Sequence, residues 1–310
     1  MSTESNATYE ALPGSQRVSP AIVPPTAPLY WSVRRELWEN RSIYLGAPAV
    51  ALLILAGIVI GFLRLTHNAH GLSASYHVNP LELVERLYSF AALGIMAATF
   101  LVAIFYCLDA LHGERRDRSI LFWKSLPVSD LTTVVSKAIV PVVLLPLITF
   151  ATTVVTQGII LIVSSIVMRA HGASVAPLWD ASSLFQMWLM LLFHLVAIHG
   201  FWYAPIYGWL MLVSAWARRA PFLWAVLPAL GLAMFEKIAF TGSDHFGKFM
   251  AYRLGGPEAA TLTMADMSMA PMEHIHLGEF LMTPGLWIGL AVAAAFLAAA
   301  IQLRRYRGPL

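Results

Sequence analysis

The sequence predicts an all-α integral membrane protein with six transmembrane helices, and three observations carry that prediction. Of the 310 residues, 58% are hydrophobic and 12% charged, where soluble domains run near 45–50% apolar and about 25% charged. A soluble chain of this length needs polar residues to cover its surface, and they are missing. The apolar residues also gather into six long blocks, each long enough (roughly 18 residues or more) to cross a hydrocarbon core about 30 Å thick as a helix. Finally, Lys and Arg fall unevenly between the two sets of connecting segments, which fixes an orientation.

Residues 1–29 precede the first block and hold Pro13, Pro20, Pro24, Pro25 and Pro28 among Ser, Thr and Ala. They lack the apolar core of a signal peptide, and with few large apolar side chains they read as a disordered tail. Residues 30–310 read as one six-span domain. Its first segment, YWSVRRELWENR at 30–41, puts Trp31, Val33, Leu37 and Trp38 near one side of a helix, with Arg34, Arg35, Glu36 and Glu39 around the rest. Tryptophan and arginine together suit a helix lying in the headgroup region.

The six spans are predicted at 44–62, 87–108, 138–168, 183–216, 221–239 and 283–303. The third and fourth exceed the crossing length, so they tilt, bend or project. Pro141 and Pro146 lie in the third, Pro205 in the fourth and Pro228 in the fifth; each removes a backbone donor, which neighbouring helices tolerate in a membrane. With both ends of the chain in the cytoplasm, the inner side holds Arg17, Arg34, Arg35, Arg41, Arg115, Arg116, Arg118, Lys124, Lys137, Arg218, Arg219, Arg304, Arg305 and Arg307. The outer side holds Arg64, Arg86, Arg169, Lys237, Lys248 and Arg253. That asymmetry is positive-inside. Cys107 is the lone cysteine, so no internal disulfide or cysteine metal cluster forms; it reads as a small buried residue within a helix.

The most informative connection is the cytoplasmic segment 109–137, DALHGERRDRSILFWKSLPVSDLTTVVSK. A charged turn of Glu114, Arg115, Arg116, Asp117 and Arg118 precedes the apolar run Ile120, Leu121, Phe122 and Trp123, followed by Lys124, Leu126 and Pro127. A short amphipathic helix of this kind suits docking in a groove of another protein. The charges alone also serve to enforce topology, and Phe122 and Trp123 also suit the membrane surface. Asp109, ending span two, is placed to pair with a basic residue of this segment.

The run RRDRSILFWKSLPVSD, followed by TVVSK, resembles the segment between spans two and three in permeases of type-2 ABC exporters. The likeness continues in YAPIYGWLMLVSAWARRAPFLWAVLP at 203–228 and LWIGLAVAAAFLAAAIQLRRYR at 286–307. It extends over most of 30–310 and is weaker in the first span and the external loops. The resemblance implies that the residues from Glu114 to Pro127 named above form a coupling helix resting on a separate ATPase. It implies two ATPase copies, which carry the ATP and Mg, and a second permease subunit, identical or similar. It further implies short external helices between spans five and six, a path near spans two and five, and residence in the bacterial inner membrane. No G-x-x-x-x-G-K-[ST] phosphate loop occurs here, so the chain lacks the usual cradle for ATP. Membrane lipid is a further expected partner and nucleic acid is not.

Other features invite sharper readings. Met264, Met267, Met269, Met272, His274 and His276 crowd the last external connection, with Met282 just after. Thioether and imidazole together suit Cu(I), while methionines equally line apolar helices dipping into the outer leaflet. A copper-handling membrane protein or a secondary transporter is therefore the alternative function. His194 and His199 lie within span four, where ionisable groups are functional candidates; their i,i+5 spacing predicts different helix faces, so packing or a substrate path is expected rather than a shared metal. Glu236 and Lys237 near the outer end of span five suit a gate, an ion pair, or snorkelling to the interface. Gly57/Gly61 and Gly285/Gly289 are GxxxG pairs that allow close helix approach, within the chain or across a dimer.

Overall fold

A computed structural model describes residues 26–67, 80–125, 128–170, 172, 174–240, 244–255 and 277–307. Among them no strand occurs, and six helices are long and apolar enough to cross a membrane. The chain is a multi-pass membrane protein. We call the end of the bundle that carries Glu36 and Arg304 the near face and the opposite end the far face.

Helix α1 (Ala27–Glu39) opens with Pro28 in its first turn, where a missing N–H costs nothing. Trp31 and Trp38 are exposed and flank Arg34, 5.1 Å from each ring centre. The face turned into the protein holds Glu36, fully buried. The sequence reading grouped that carboxylate with the polar side of an interfacial helix. The structure turns it inward, because ion-pair partners from later helices wait there.

Helices α2 (Ser42–His67) and α3 (Pro80–Asp109) are the first two spans. Two short helices follow on the near face, α4 (His112–Arg116) and α5 (Ile120–Ser125). Then α6 (Asp130–Ile139) starts at Ser129, whose side chain accepts the Thr132 N–H as an N-cap. It runs without a break through a π-helical turn, Val140–Leu144, into α7 (Leu145–Ala170). The third span thus begins eight residues before its predicted start, as a helix that projects from the near face.

The fourth span, predicted at 183–216, is Ser183–Trp202, made of α8 (Ala181–His194) and a second π-helical stretch, Leu195–Trp202; α9 (Ala204–Trp216) follows as a separate, shorter apolar helix. Both π stretches adjoin prolines, Pro141 inside the first and Pro205 just after the second. A widened turn is one way a helix absorbs a missing donor. The two stretches meet at Gly200, where a Cβ would stand 2.8 Å from the Val142 carbonyl oxygen. Only glycine lets the backbones approach so closely. Beyond come α10 (Pro221–Ala239), α11 (His245–Gly255), α12 (Leu277–Met282) and α13 (Pro284–Tyr306). Helix α13 lies along α9, with Gly208 against the Ala293 backbone, and Trp202, Met211 and Cys107 are buried in the central core. Helix α10 buries the least of any span.

Candidate functional site

The near-face segment between spans two and three is fixed to the bundle by its own first turn. Ser214, one turn from the end of α9, accepts both the Leu111 and His112 N–H groups at 3.0 and 2.9 Å. Arg115 donates from Nη1 to the Ala215 carbonyl at 2.7 Å and to that of Ala217 at 3.3 Å. Those are orphan carbonyls of a helix C-terminus, where a cation also complements the helix dipole. Helix α4 is therefore a plug on the end of α9.

Glu114 points the other way, into a buried ionic cluster. Its Oε1 lies 3.2 Å from Lys137 Nζ and 3.1 Å from Arg35 Nη2, and its Oε2 takes a short contact from Arg304 Nη1. Lys137 also holds Glu36 at 2.8 Å, and Arg35 reaches Glu36 at 2.7 Å. Tyr106 donates its hydroxyl to Glu36 Oε2 at 2.9 Å, and Arg304 Nε reaches Asp130 at 3.0 Å. Three carboxylates (Glu36, Glu114, Asp130) thus face three cations (Arg35, Lys137, Arg304). Glu36, Lys137, Arg304 and Glu114 are 0%, 2%, 4% and 8% exposed. Burying ions is costly unless charge and hydrogen bonds are matched; each of these six ions has an opposite charge within 3.2 Å, although Arg35 Nε is buried without a hydrogen-bond partner. The cluster ties α1, α3, α4, α6 and α13 together.

Helix α5 joins through Arg35, whose guanidinium stacks 3.8 Å from the centre of the Trp123 ring. Burial pulls Arg35 down, and the carboxylates of Glu36, Glu39 and Glu114 more than offset it, so its charge is held more firmly than usual. Burial is also the main reason that the Glu39 carboxyl sits above its ordinary range, against the pull of Arg35. Lys124 reaches toward the Arg305 and Arg307 carbonyls at 3.4 Å.

The residues read as one docking segment therefore divide. Glu114, Arg115 and Ile120 are buried and hold the segment down. Arg116, Asp117, Arg118, Leu121, Phe122 and Lys124 are exposed, Leu121 and Phe122 at 59% each. Asp109 finds its basic partner in Arg116, at 3.8 Å and in the open. Leu126 and Pro127 lie outside the described residues. Of the cluster, sequence reading singled out Glu114 alone and missed Arg35, Glu36, Tyr106, Asp130, Lys137 and Arg304. The available signal was that acidic residues recur on the same side as the excess of Arg and Lys.

The histidines require a correction. His194 and His199 do not lie on different faces: their ring centres are 6.0 Å apart. The intervening turn is π-helical, so i and i+5 meet where an α-helix would part them. His199 packs edge-on to Phe100 and Tyr203. It also lines, with Thr99, Thr149 and Tyr207, a cavity of about 10 Å³, room for a single water. No cluster of three or more metal-ligating side chains occurs among the described residues.

Glu236 caps a helix. Its two oxygens accept the N–H groups of His245 and Phe246 at 2.6 and 2.8 Å, at the start of α11. Lys237 is exposed, 3.9 Å from Asp244. Gly285 and Gly289 are covered within the chain by Tyr252 and Arg253 of α11, whereas nothing lies within 4 Å of a Cβ built on Gly57 or Gly61. Met264, Met267, Met269, Met272, His274 and His276 fall outside the described residues. Comparison with protein families, with curated proteins and with solved structures finds no match to this chain.

Proposed function

We propose that the chain is the membrane subunit of an ATP-driven exporter of the type-2 ABC class. In this reading it forms the translocation path and takes its work from a separate ATPase. One observation carries the reading: an exposed apolar ridge, Leu121 and Phe122, stands on a segment fastened to four other helices by a buried ionic cluster. A surface loop that only set topology would need no such anchorage. A segment that must pass a push from a partner into the spans needs both halves, a grip outside and a rigid root inside. The ATP and its Mg sit on the partner, two ATPases serve two membrane subunits, and the near face is the cytoplasmic side of a bacterial inner membrane. The translocated molecule passes along the surfaces of spans two and five; α10, the fifth, is the one least covered by its own chain.

The test is reconstitution with an ATPase subunit co-expressed from an adjacent reading frame. Replacing Leu121 and Phe122 with Ala should lower ATPase activity in the complex about tenfold, a loss of 1.4 kcal/mol of docking, with thermal stability unchanged. Transport by this chain alone, without ATP, would defeat the proposal.

A further inference from the structure

Helix α1 carries two consecutive arginines that meet their surroundings in opposite ways. Arg35 faces the protein, where its guanidinium lies on Trp123 and its nitrogens reach Glu36, Glu39 and Glu114. Arg34, about 100° round the helix, faces outward. Its guanidinium lies over the Trp31 ring and over the Trp38 ring, 5.1 Å from each centre. The three residues stand at i−3, i and i+4, one stripe of an α-helix. Trp31 and Trp38 are 58% and 72% exposed, and Arg34 is exposed between them. Among the described residues, no carboxylate pairs with Arg34 and no acceptor takes its N–H groups.

A contact with an aromatic ring uses the flank of a guanidinium and leaves the five N–H donors in its plane available. On Arg35, carboxylates use them. On Arg34 they are unspent, and an indole on either side restrains the group from swinging. A planar, weakly hydrated, always charged fork held in place is what bidentate recognition of phosphate requires.

Position decides which phosphate. Glu36, buried in the ionic cluster, fastens the inner side of α1 to the bundle, so the outer stripe is held with it. After Asn40 and Arg41 the chain enters the first span, whose exposed side chains begin at once with Tyr44 and Leu45 and continue to Leu52 and Leu53. Those side chains meet acyl chains. Trp38 and Arg34, just before them, therefore stand at headgroup level, where tryptophan concentrates. Tyr30, exposed and edge-on to Trp31, extends the same belt. A choline headgroup sets a cation of its own beside the phosphate, which Arg34 repels; an anionic headgroup does not.

We propose that Trp31, Arg34 and Trp38 form a binding site for the phosphate of an anionic phospholipid in the near leaflet, its acyl chains beside the first span. The guanidinium takes two phosphate oxygens, and the two indoles hold its orientation and line the headgroup.

The experiment uses the full chain in detergent, with native mass spectrometry as the readout and phosphatidylglycerol compared with phosphatidylcholine of the same tails. Wild type should hold one phosphatidylglycerol per chain about fivefold more tightly than Arg34→Gln, equivalent to about 1 kcal/mol, with phosphatidylcholine held alike by both. Arg34→Lys keeps the charge without the fork, and Trp31→Leu with Trp38→Leu keeps the arginine without its flanking rings; both should fall between. Arg34 is exposed and without an ion pair, so Arg34→Gln should melt like wild type in the absence of lipid. Arg219→Gln removes an equal charge from the turn before α10 and should retain the lipid as wild type does; a loss as large as that of Arg34→Gln would mean that net charge alone is sensed, and overturns the site. Glycerol 3-phosphate at the same concentration should not displace the lipid, and displacement would overturn the assignment to a lipid. Equal retention of phosphatidylglycerol by wild type and Arg34→Gln also overturns it, and loss of a co-expressed ATPase subunit from that variant would then give the arginine to a protein contact. Lipid retention is read without ATP, so its failure leaves the exporter reading intact.

Discussion

At the scale of single residues, the sharpest expectations concern groups whose neighbours leave no room for substitution. Lys137 serves Glu36 and Glu114 together at 2.8 and 3.2 Å. Lys137→Met strands excess negative charge in a buried place and should cost about 3–5 kcal/mol, read as a fall in unfolding free energy in detergent. Adding Glu36→Leu restores the balance, so the double variant should recover stability relative to Lys137→Met alone, a coupling that a double-mutant cycle measures. If the two losses simply add, the cluster is not the unit described here. Gly200→Ala offers a steric test. Its Cβ would meet the Val142 carbonyl oxygen at 2.8 Å, whereas a Cβ on Gly57 meets nothing. The first should lower stability by about 1–3 kcal/mol through overpacking, and Gly57→Ala should leave the melting temperature unchanged.

At the scale of elements, Glu236 and α11 make a local prediction. Glu236→Gln removes the charge that meets the first N–H groups of α11, a contribution of about 0.5–2 kcal/mol. Amide exchange should speed up within 245–255 and stay unchanged in α9; uniform exchange across both would contradict the capping role. The elements also mark where sequence was legible. Block length located all six spans, because a run of apolar residues has no cheaper place than lipid. The starts of spans two and three were harder to read, since α3 and α6 continue beyond the apolar stretch as polar helix. The His194–His199 pairing was not readable at all. It depends on a π turn, and an α-helical period of 3.6 places those residues apart. Glu36 was misassigned for a related reason: amphipathic periodicity ranks faces by polarity, and a buried carboxylate with three partners violates that ranking.

At the scale of the molecule, the near face is a joint and the far face an arrangement of short helices around Arg253. Charges from α1, α4, α6 and α13 converge although they are as far apart in sequence as Arg35 and Arg304, and that convergence is what a single sequence conceals. Individual ions were visible, and their partners became visible only once the helices were packed. The consequence is mechanical. A displacement of α5 acts on α1 through Arg35 on Trp123, and Glu114 of the adjoining α4 links to α6 and α13, so two spans, the third and the sixth, share the linkage.

The most direct measurement is ATPase activity of the chain reconstituted with the ATP-hydrolysing subunit proposed for it, compared between wild type and Glu114→Gln. Glu114 is buried and touches no solvent-facing partner surface, so a merely adhesive segment would keep binding and hydrolysis while losing some stability. The account predicts that the Glu114→Gln complex still assembles through Leu121 and Phe122, yet hydrolysis no longer responds to the transported molecule and transport falls at least about tenfold, equivalent to 1.4 kcal/mol of coupling. Wild-type transport and wild-type stimulation in a folded Glu114→Gln complex would contradict it.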